Sequence, residues 1–378
     1  MKLVIFGLTV SSSWGNGHAT LWRGLCKALA RRGRQVVFFE RDVPYYAAHR
    51  DLHDLPSGRL YLYSEWEEIV GPARRQLADA DVGMVTSYCP DGVAATELVL
   101  ASPVSLRAFY DLDAPVTLAR LQAGQPVEYL GPRGLRDFDL VLSFTGGRAL
   151  EELQSRLGAR RVAPLYGSVD PEAHSPVPPV EAYRADLAYL GTYAPDRQPA
   201  LAAFLLEPAR RLPQRRFLIG GALYPQDLSW AGNVRLIRHV PPSEHPAFFC
   251  SSRLALNVTR RAMVEMGYCP SGRLFEAAAC GAPLVSDWWE GLDRFFRPGQ
   301  EILIARTTDD VIDAIHLSDA QLARIARAAR ERTLDEHTVD RRARELEEIL
   351  EAAWPSGDTV AAGLRPAGGL EPAPARQA

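Results

Sequence analysis

The stretch Ser11-Ser12-Ser13-Trp14-Gly15-Asn16-Gly17-His18 links an apolar run to a helical pattern and holds the first residues able to do chemistry. Gly15 and Gly17 let backbone approach a ligand closely, and a helix N-terminus offers unpaired N–H groups with about half a positive charge. Such a loop suits an anionic or hydroxyl-rich ligand, with Asn16 and Gly17 lining it. His18 stands at its mouth, where a neutral imidazole can take the proton of an acceptor hydroxyl. The plainer alternative is a histidine that satisfies the first helical turn. The loop is not G-x-G-x-x-G, so a dinucleotide fingerprint is missing, although Glu40 ends the next apolar run where a ribose-binding acid would stand.

Asp111 and Asp113 close another apolar run and point the same way if the strand continues. They suit acceptor hydroxyls, the cap of a turn or, less well, a metal ion. In Ser271-Gly272-Arg273-Leu274-Phe275-Glu276, followed by Ala277 to Pro283, small residues let a helix approach neighbouring backbone. Arg273 and Glu276 share one face of that helix, one turn apart; a surface ion pair is the alternative. Trp288-Trp289-Glu290 follows the next strand, so the indoles either stack on a base or sugar ring or fill a core. Glu290 would then meet sugar hydroxyls. Ser143-Phe144-Thr145-Gly146-Gly147 is a further strand-to-helix glycine loop, either an acceptor contact or a tight turn.

These residues need elements to place them, and the chain supplies an alternation of strands and helices. Strands are expected at Lys2–Val10, Gln35–Glu40, Leu60–Tyr63, Val82–Ser87, Ser105–Asp111 and Asp139–Phe144, with helices such as Trp66–Leu77 and Val93–Leu100 between them. Strands that are apolar throughout belong to parallel sheets covered on both faces. Gly167–Pro179 is rich in proline and without periodicity, and a second series follows it through Leu187–Gly191, Phe217–Gly221, Val234–Val240, Leu254–Val258, Pro283–Ser286 and Ile302–Ala305. Helices are expected at Pro199–Arg211, Gly272–Cys280, Asp309–His316, Asp319–Arg332 and Asp335–Ala353. The fold class is therefore α/β, with two doubly wound parallel-sheet, Rossmann-like domains facing a cleft at the carboxyl ends of their strands. The expected division is 1–167, a linker at 168–182, a second domain at 183–334, a closing helix at 335–354 and a disordered tail at 355–378.

Length and charge agree with this plan. At about 150 residues per domain, 378 residues make two domains. Lys+Arg at 43 against Asp+Glu at 46 gives a net charge of −3, which disfavours nucleic acid as a partner. The arginine pairs Arg31-Arg32, Arg210-Arg211 and Arg341-Arg342 read as solvated helix faces. The five cysteines form no C-x-x-C pair, which suggests neither a disulfide framework nor zinc and fits a reduced, cytoplasmic protein. No run approaches the roughly 20 apolar residues of a membrane helix. Peripheral membrane contact stays open.

The segment SGRLFEAAACGAPLVSD resembles the C-terminal signature of two-domain, B-type (GT-B) glycosyltransferases, and most of all the branch related to spore maturation protein B, with its S-x-R-x-F-E-x-x-A-C-G-x-P pattern. His337-Thr338 with Arg341 and Arg342 is similar to that family's closing helix, and PLYGSVDPEAHSP to its crossover. The resemblance implies a transferase that moves a sugar from a nucleoside diphosphate to an acceptor hydroxyl, without metal or resident cofactor. It implies that Glu276 receives the ribose hydroxyls, that Arg273 lies near the diphosphate, and that Arg197, after the Leu190–Asp196 loop, is the basic phosphate contact. His18 and Asp111 are then the expected catalytic side chains, Asn16 and Gly17 the acceptor loop, and Glu290 a fourth donor contact. Many retaining members carry a glutamate where this chain has Tyr268, with Glu265 nearby but out of register. A sugar-nucleotide epimerase, an NAD(P)-dependent oxidoreductase and a non-catalytic carbohydrate-binding protein are the competing functions.

Overall fold

Leu3–Phe6 and Val36–Phe39 read as unbroken apolar runs because both faces of their strands are buried. A computed structural model describes residues 1–55, 58–226 and 230–354. Its first sheet contains β1 (Lys2–Gly7), β2 (Gln35–Arg41), β3 (Arg59–Tyr63), β4 (Val82–Thr86), β5 (Leu106–Asp111), β6 (Leu140–Ser143) and β7 (Val162–Pro164). They lie in the order β3-β2-β1-β4-β5-β6-β7, every neighbour parallel. The second sheet contains β8 (Leu187–Leu190), β9 (Phe217–Gly220), β10 (Val234–Ile237), β11 (Ala255–Asn257), β12 (Leu284–Asp287) and β13 (Leu303–Ala305), in the order β10-β9-β8-β11-β12-β13 and again all parallel. In each sheet the winding reverses beside its first strand, between β1 and β4 and between β8 and β11. Loops diverge at such reversals and leave a crevice for ligand.

Each sheet is sandwiched between two apolar layers. The helix Gly17–Arg31 buries Leu21, Trp22, Leu25, Cys26 and Leu29, a stripe at helical spacing, against one face of the first sheet. The last helix among the described residues, Val339–Ala353, packs on that helix rather than on the second sheet. Val339, Ala343, Leu346 and Leu350 join the first sheet's core, and Val339 Cγ1 stands 2.6 Å from where a Cβ on Gly24 would lie. Arg34 Nε reaches the buried Glu347 carboxylate at 2.6 Å, Arg32 Nε reaches it at 2.7 Å, and Arg31 pairs with Asp340 at 2.9 Å. The chain thus passes between the lobes twice, and the passes run side by side. Val169 N–H donates to His337 O at 3.0 Å, and Val339 N–H donates to Val169 O at 2.9 Å.

Two expectations need correction here. The helix expected over Asp335–Ala353 starts at Val339, because the preceding helix continues to Glu336 and Thr338 Oγ1 then caps a new one by accepting from Arg341 N. Arg342 is not solvated: it is buried and donates to Gly167 O at 3.1 Å, which fastens the closing helix to the crossover. The expected tail from Pro355 lies outside the described residues.

Candidate active site

A cavity of about 520 Å³ opens between the carboxyl edges of the two sheets. Asn16, Gly17, His18, Tyr88 and Asp113 line it from the first lobe, and Gly191, Arg197, Arg260, Ser271, Arg273 and Glu276 from the second.

The loop after β1 owes its shape to Glu40. That buried carboxylate accepts from Thr9 Oγ1 (2.6 Å), Val10 N (2.7 Å), Ser11 N (3.0 Å) and Ser11 Oγ (2.5 Å). Four donors saturate it, so Glu40 is a loop clamp with no capacity left for a ribose. This removes the residue on which an NAD(P) reading stood. Asn16 is the helix N-cap; its Oδ1 accepts from His18 N at 3.0 Å. Its amide also donates to Thr9 O and Ser12 O, so Asn16 shapes the loop.

His18 projects into the cleft with Nδ1 unpartnered and Nε2 3.9 Å from Asp113 Oδ2. Burial pulls its pKa below the ordinary imidazole value, against an opposing pull from Asp113. The ring is therefore neutral at pH 7 and able to accept a proton. Tyr88, in left-handed backbone at φ 63°, places its ring 5.8 Å from the His18 ring. The carboxylate facing His18 is thus Asp113 and not Asp111, which is fully buried behind it and does not line the cleft. Asp111 Oδ1 accepts from Asp113 N at 3.0 Å, so Asp111 supports the loop that carries Asp113. The two aspartates do not point the same way, because β5 ends at Asp111 and the chain turns into the helix Ala114–Gln122.

Burial raises the Asp111 carboxyl from 3.8 to about 6, only partly offset by its hydrogen bonds. A raised pKa means that the folded state holds this proton more tightly than the unfolded chain. The resulting stabilisation is complete below about pH 4 and is lost as pH rises through 6, for a total of about 3 kcal/mol. Asp111→Asn removes that dependence. Urea unfolding of both proteins at pH 4 and pH 7.5 should show the stability gap moving in favour of the variant at the higher pH. A gap that stays constant with pH refutes the assignment.

On the second lobe, Arg273 rises from the first turn of the helix Gly272–Ala279 and lies over the Tyr189 ring, 4.9 Å from its centroid. It donates to Leu190 O and, at 2.6 Å, to Asn257 Oδ1, which ties the ends of β8 and β11 together. Arg197 Nη1 donates to Tyr189 OH (2.8 Å) and Thr192 O (3.1 Å), while its Nε has no partner. Arg260, 3.2 Å from Asp196, is a third guanidinium on the cleft. A Cβ on Gly191 would meet Tyr189 OH at 2.5 Å and Arg273 Nη2 at 2.7 Å, so a larger residue there would have to displace the guanidinium from its place on the cleft. Gly221 admits no Cβ, because the Gly191 carbonyl oxygen occupies the place. Ser271 and Gly272 bring the N-terminus of the Arg273 helix to the same wall. Guanidinium groups and a helix N-terminus on one wall have the charge and N–H donors that suit anionic oxygens.

Glu276 is not paired with Arg273. Its Oε2 faces His245 Nδ1 at 3.7 Å, with His174 beside it. Burial would raise its pKa, but the two imidazoles and Arg273 outweigh burial and hold it down to about 2, so the group is ionised.

Some expected contacts lie elsewhere. Glu290 is exposed and off the cleft: the loop turns outward, with Tyr268 N–H donating to Glu290 O at 2.6 Å. Trp289 is core, and Trp288 lies on the surface with Arg306 over its ring at 5.9 Å. Tyr268 wedges between the lobes, its ring against Gly147 and Gly291 and its carbonyl accepting from Gly146 N at 3.0 Å. The Ser143–Gly147 loop therefore meets the other lobe. The structure also brings in residues that the sequence did not single out: Trp14, stacked on His49 at 4.1 Å, meets His239 of the second lobe at 4.4 Å. Only the aromatic character of the first loop hinted at this.

The architecture recurs in solved structures. Sucrose-phosphate synthase from Thermosynechococcus elongatus superposes with a TM-score of 0.68 at 14% identity, over 94% of this chain and 100% of that one. The fold is GT-B. Anabaena Alr3699/HepE in complex with UDP-glucose shares it (TM-score 0.64, 13% identity, 93% of this chain and 100% of that one). So does a mutant of T4 phage BGT in complex with UDP-glucose (TM-score 0.61, 12% identity, 94% and 100%). Residues 197–348 match the family described as "Glycosyl transferase-like", a span holding Arg197, Arg260, Arg273 and Glu276 of the GT-B cleft. No curated protein sequence matches the chain.

Proposed function

We propose that this GT-B protein transfers a glycosyl group from a nucleoside-diphosphate sugar to an acceptor hydroxyl. The observation that carries the reading is one cavity with unlike walls: Arg197, Arg260, Arg273 and a helix N-terminus on one side, and a neutral His18 beside Asp113 on the other. The diphosphate would lie on the guanidinium groups, with the ribose hydroxyls donating to the ionised Glu276. His18 Nε2 takes the acceptor proton as the acceptor oxygen bonds to the anomeric carbon. The bond from that carbon to the diphosphate oxygen breaks, and the arginines and helix N-terminus stabilise the charge left on the β-phosphate. Asp113 stabilises the imidazolium so formed. The diphosphate needs no metal in this scheme, because fixed positive charge already surrounds it.

The branch related to spore maturation protein B rests on the Ser271–Pro283 motif, and a cytoplasmic location on five free cysteines and the nature of the donor. Among the described residues no helix is long and apolar enough to cross a membrane. UDP-glucose is bound by the Anabaena and phage relatives in fold, which makes UDP-hexoses the first donors to try. Thermal unfolding with UDP, GDP, dTDP and ADP tests donor binding. A rise in Tm with one nucleotide, followed by mass-spectrometric detection of a glycosylated acceptor, is the expected result. No response to any of the four overturns the proposal.

A further inference from the structure

We infer that His174, His245 and Glu276 form a site for a single divalent cation of the zinc class, set in the wall behind the cleft. Among the described residues they are the one group of three His, Cys, Asp or Glu side chains whose ligand atoms all lie within 4.8 Å of one another. They come from three segments: the crossover, the start of the helix His245–Cys250 and the helix Gly272–Ala279.

The polar atoms are left unsatisfied in a way that asks for a cation. His174 is 5% exposed, yet neither ring nitrogen has a hydrogen-bond partner. His245 Nε2 faces Val240 O at 3.2 Å, and its other nitrogen, Nδ1, is buried without a hydrogen-bond partner. Nδ1 is turned toward the Glu276 carboxylate at 3.7 Å, too far for a hydrogen bond. A cation between them gives Nδ1 and the carboxylate a common partner. A backbone carbonyl that orients the far nitrogen is also the usual support of a metal-bound imidazole.

Distances agree. Tetrahedral bonds of about 2.1 Å put ligand atoms roughly 3.4 Å apart, so the His245–Glu276 pair is nearly in place. The widest pair must close by at most roughly 1.4 Å. Two imidazoles and one carboxylate suit zinc better than magnesium or calcium, which prefer oxygen alone. A second cavity of about 260 Å³, lined by Thr20, Lys27, Ser168, His174, Ser243 and Glu276, gives access and room for a water in the fourth position. Because Glu276 lines both cavities, the cation would hold the carboxylate in place and pin the crossover to the second lobe. The site departs from the metal-free expectation, and it does not depend on the transferase reading.

The test uses the full chain after dialysis against EDTA, without nucleotide. Titration with Zn²⁺ by calorimetry should give one site, and Co²⁺ should produce the intense visible absorption of four-coordinate cobalt. His174→Asn and His245→Ala, each checked for folding by circular dichroism, should weaken Zn²⁺ binding by roughly 100-fold or more. No uptake by the wild type, uptake unaltered in both variants, or a cobalt spectrum typical of six oxygen ligands overturns the proposal. So does an NMR finding that His245 is a doubly protonated imidazolium in the presence of excess Zn²⁺, since a proton would then occupy the place of the metal.

Discussion

His18→Ala lowers kcat by about 10²–10⁴-fold while nucleotide affinity stays unchanged, because the imidazole touches the acceptor side only. The expected pH profile follows from its surroundings. Burial lowers the His18 pKa and Asp113 raises it, so the acid limb of kcat/KM lies below the ordinary imidazole value. Activity falls as pH drops through that limb, since protonated His18 cannot accept the acceptor proton. Asp113→Asn removes the opposing pull, so the limb should move to still lower pH as the maximal rate declines. Initial rates over the range from pH 4.5 to about 8 would show both effects. A His18→Ala enzyme with near-normal turnover, or an acid limb that moves upward in the Asp113 variant, refutes the assignment.

Arg273→Ala should weaken nucleoside-diphosphate binding by about 1–3 kcal/mol, or roughly 5–150-fold, through loss of charge-assisted contacts to phosphate. Part of that loss is structural, since the guanidinium also ties Leu190 O to Asn257 Oδ1. Arg197→Ala separates the two contributions. Its hydrogen bonds stay with Tyr189 and Thr192 beside its own loop, so it should lose affinity with a smaller change in Tm. Arg273→Lys should not restore binding, because a point charge can neither bridge two acceptors nor lie flat on Tyr189. Calorimetry with the preferred nucleotide decides the matter. Full affinity in both alanine variants would remove the diphosphate from this wall.

Most strands were legible because parallel strands buried on both faces have no polar alternation to blur them; Gln35–Glu40 and Val82–Ser87 are good examples. That Arg197, Arg273 and Glu276 line the cleft was legible from the resemblance to GT-B glycosyltransferases, since all three follow strand ends. Asp111 departs from its expected place for a physical reason. Strand alternation ceases where the strand does, and one residue into the turn the side chains exchange roles. Glu40 and Glu290 show the same limit, since a carboxylate at a strand end looks identical in sequence whether it meets ligand, backbone N–H groups or water. The His174–His245–Glu276 grouping has no local signature, because it forms only when the crossover folds back onto two separate helices.

The helix Val339–Ala353 completes the core of the first lobe, so the second sheet is, in topological terms, an insertion within that lobe. During synthesis Trp22, Leu25 and Leu29 emerge early, while Leu346 and Leu350, which share their core, come from the ribosome only after the whole second lobe. A fragment ending at the crossover would therefore carry a bare apolar stripe and aggregate, whereas a permuted chain that starts at Val339 and joins Lys2 through a linker would make that half self-sufficient.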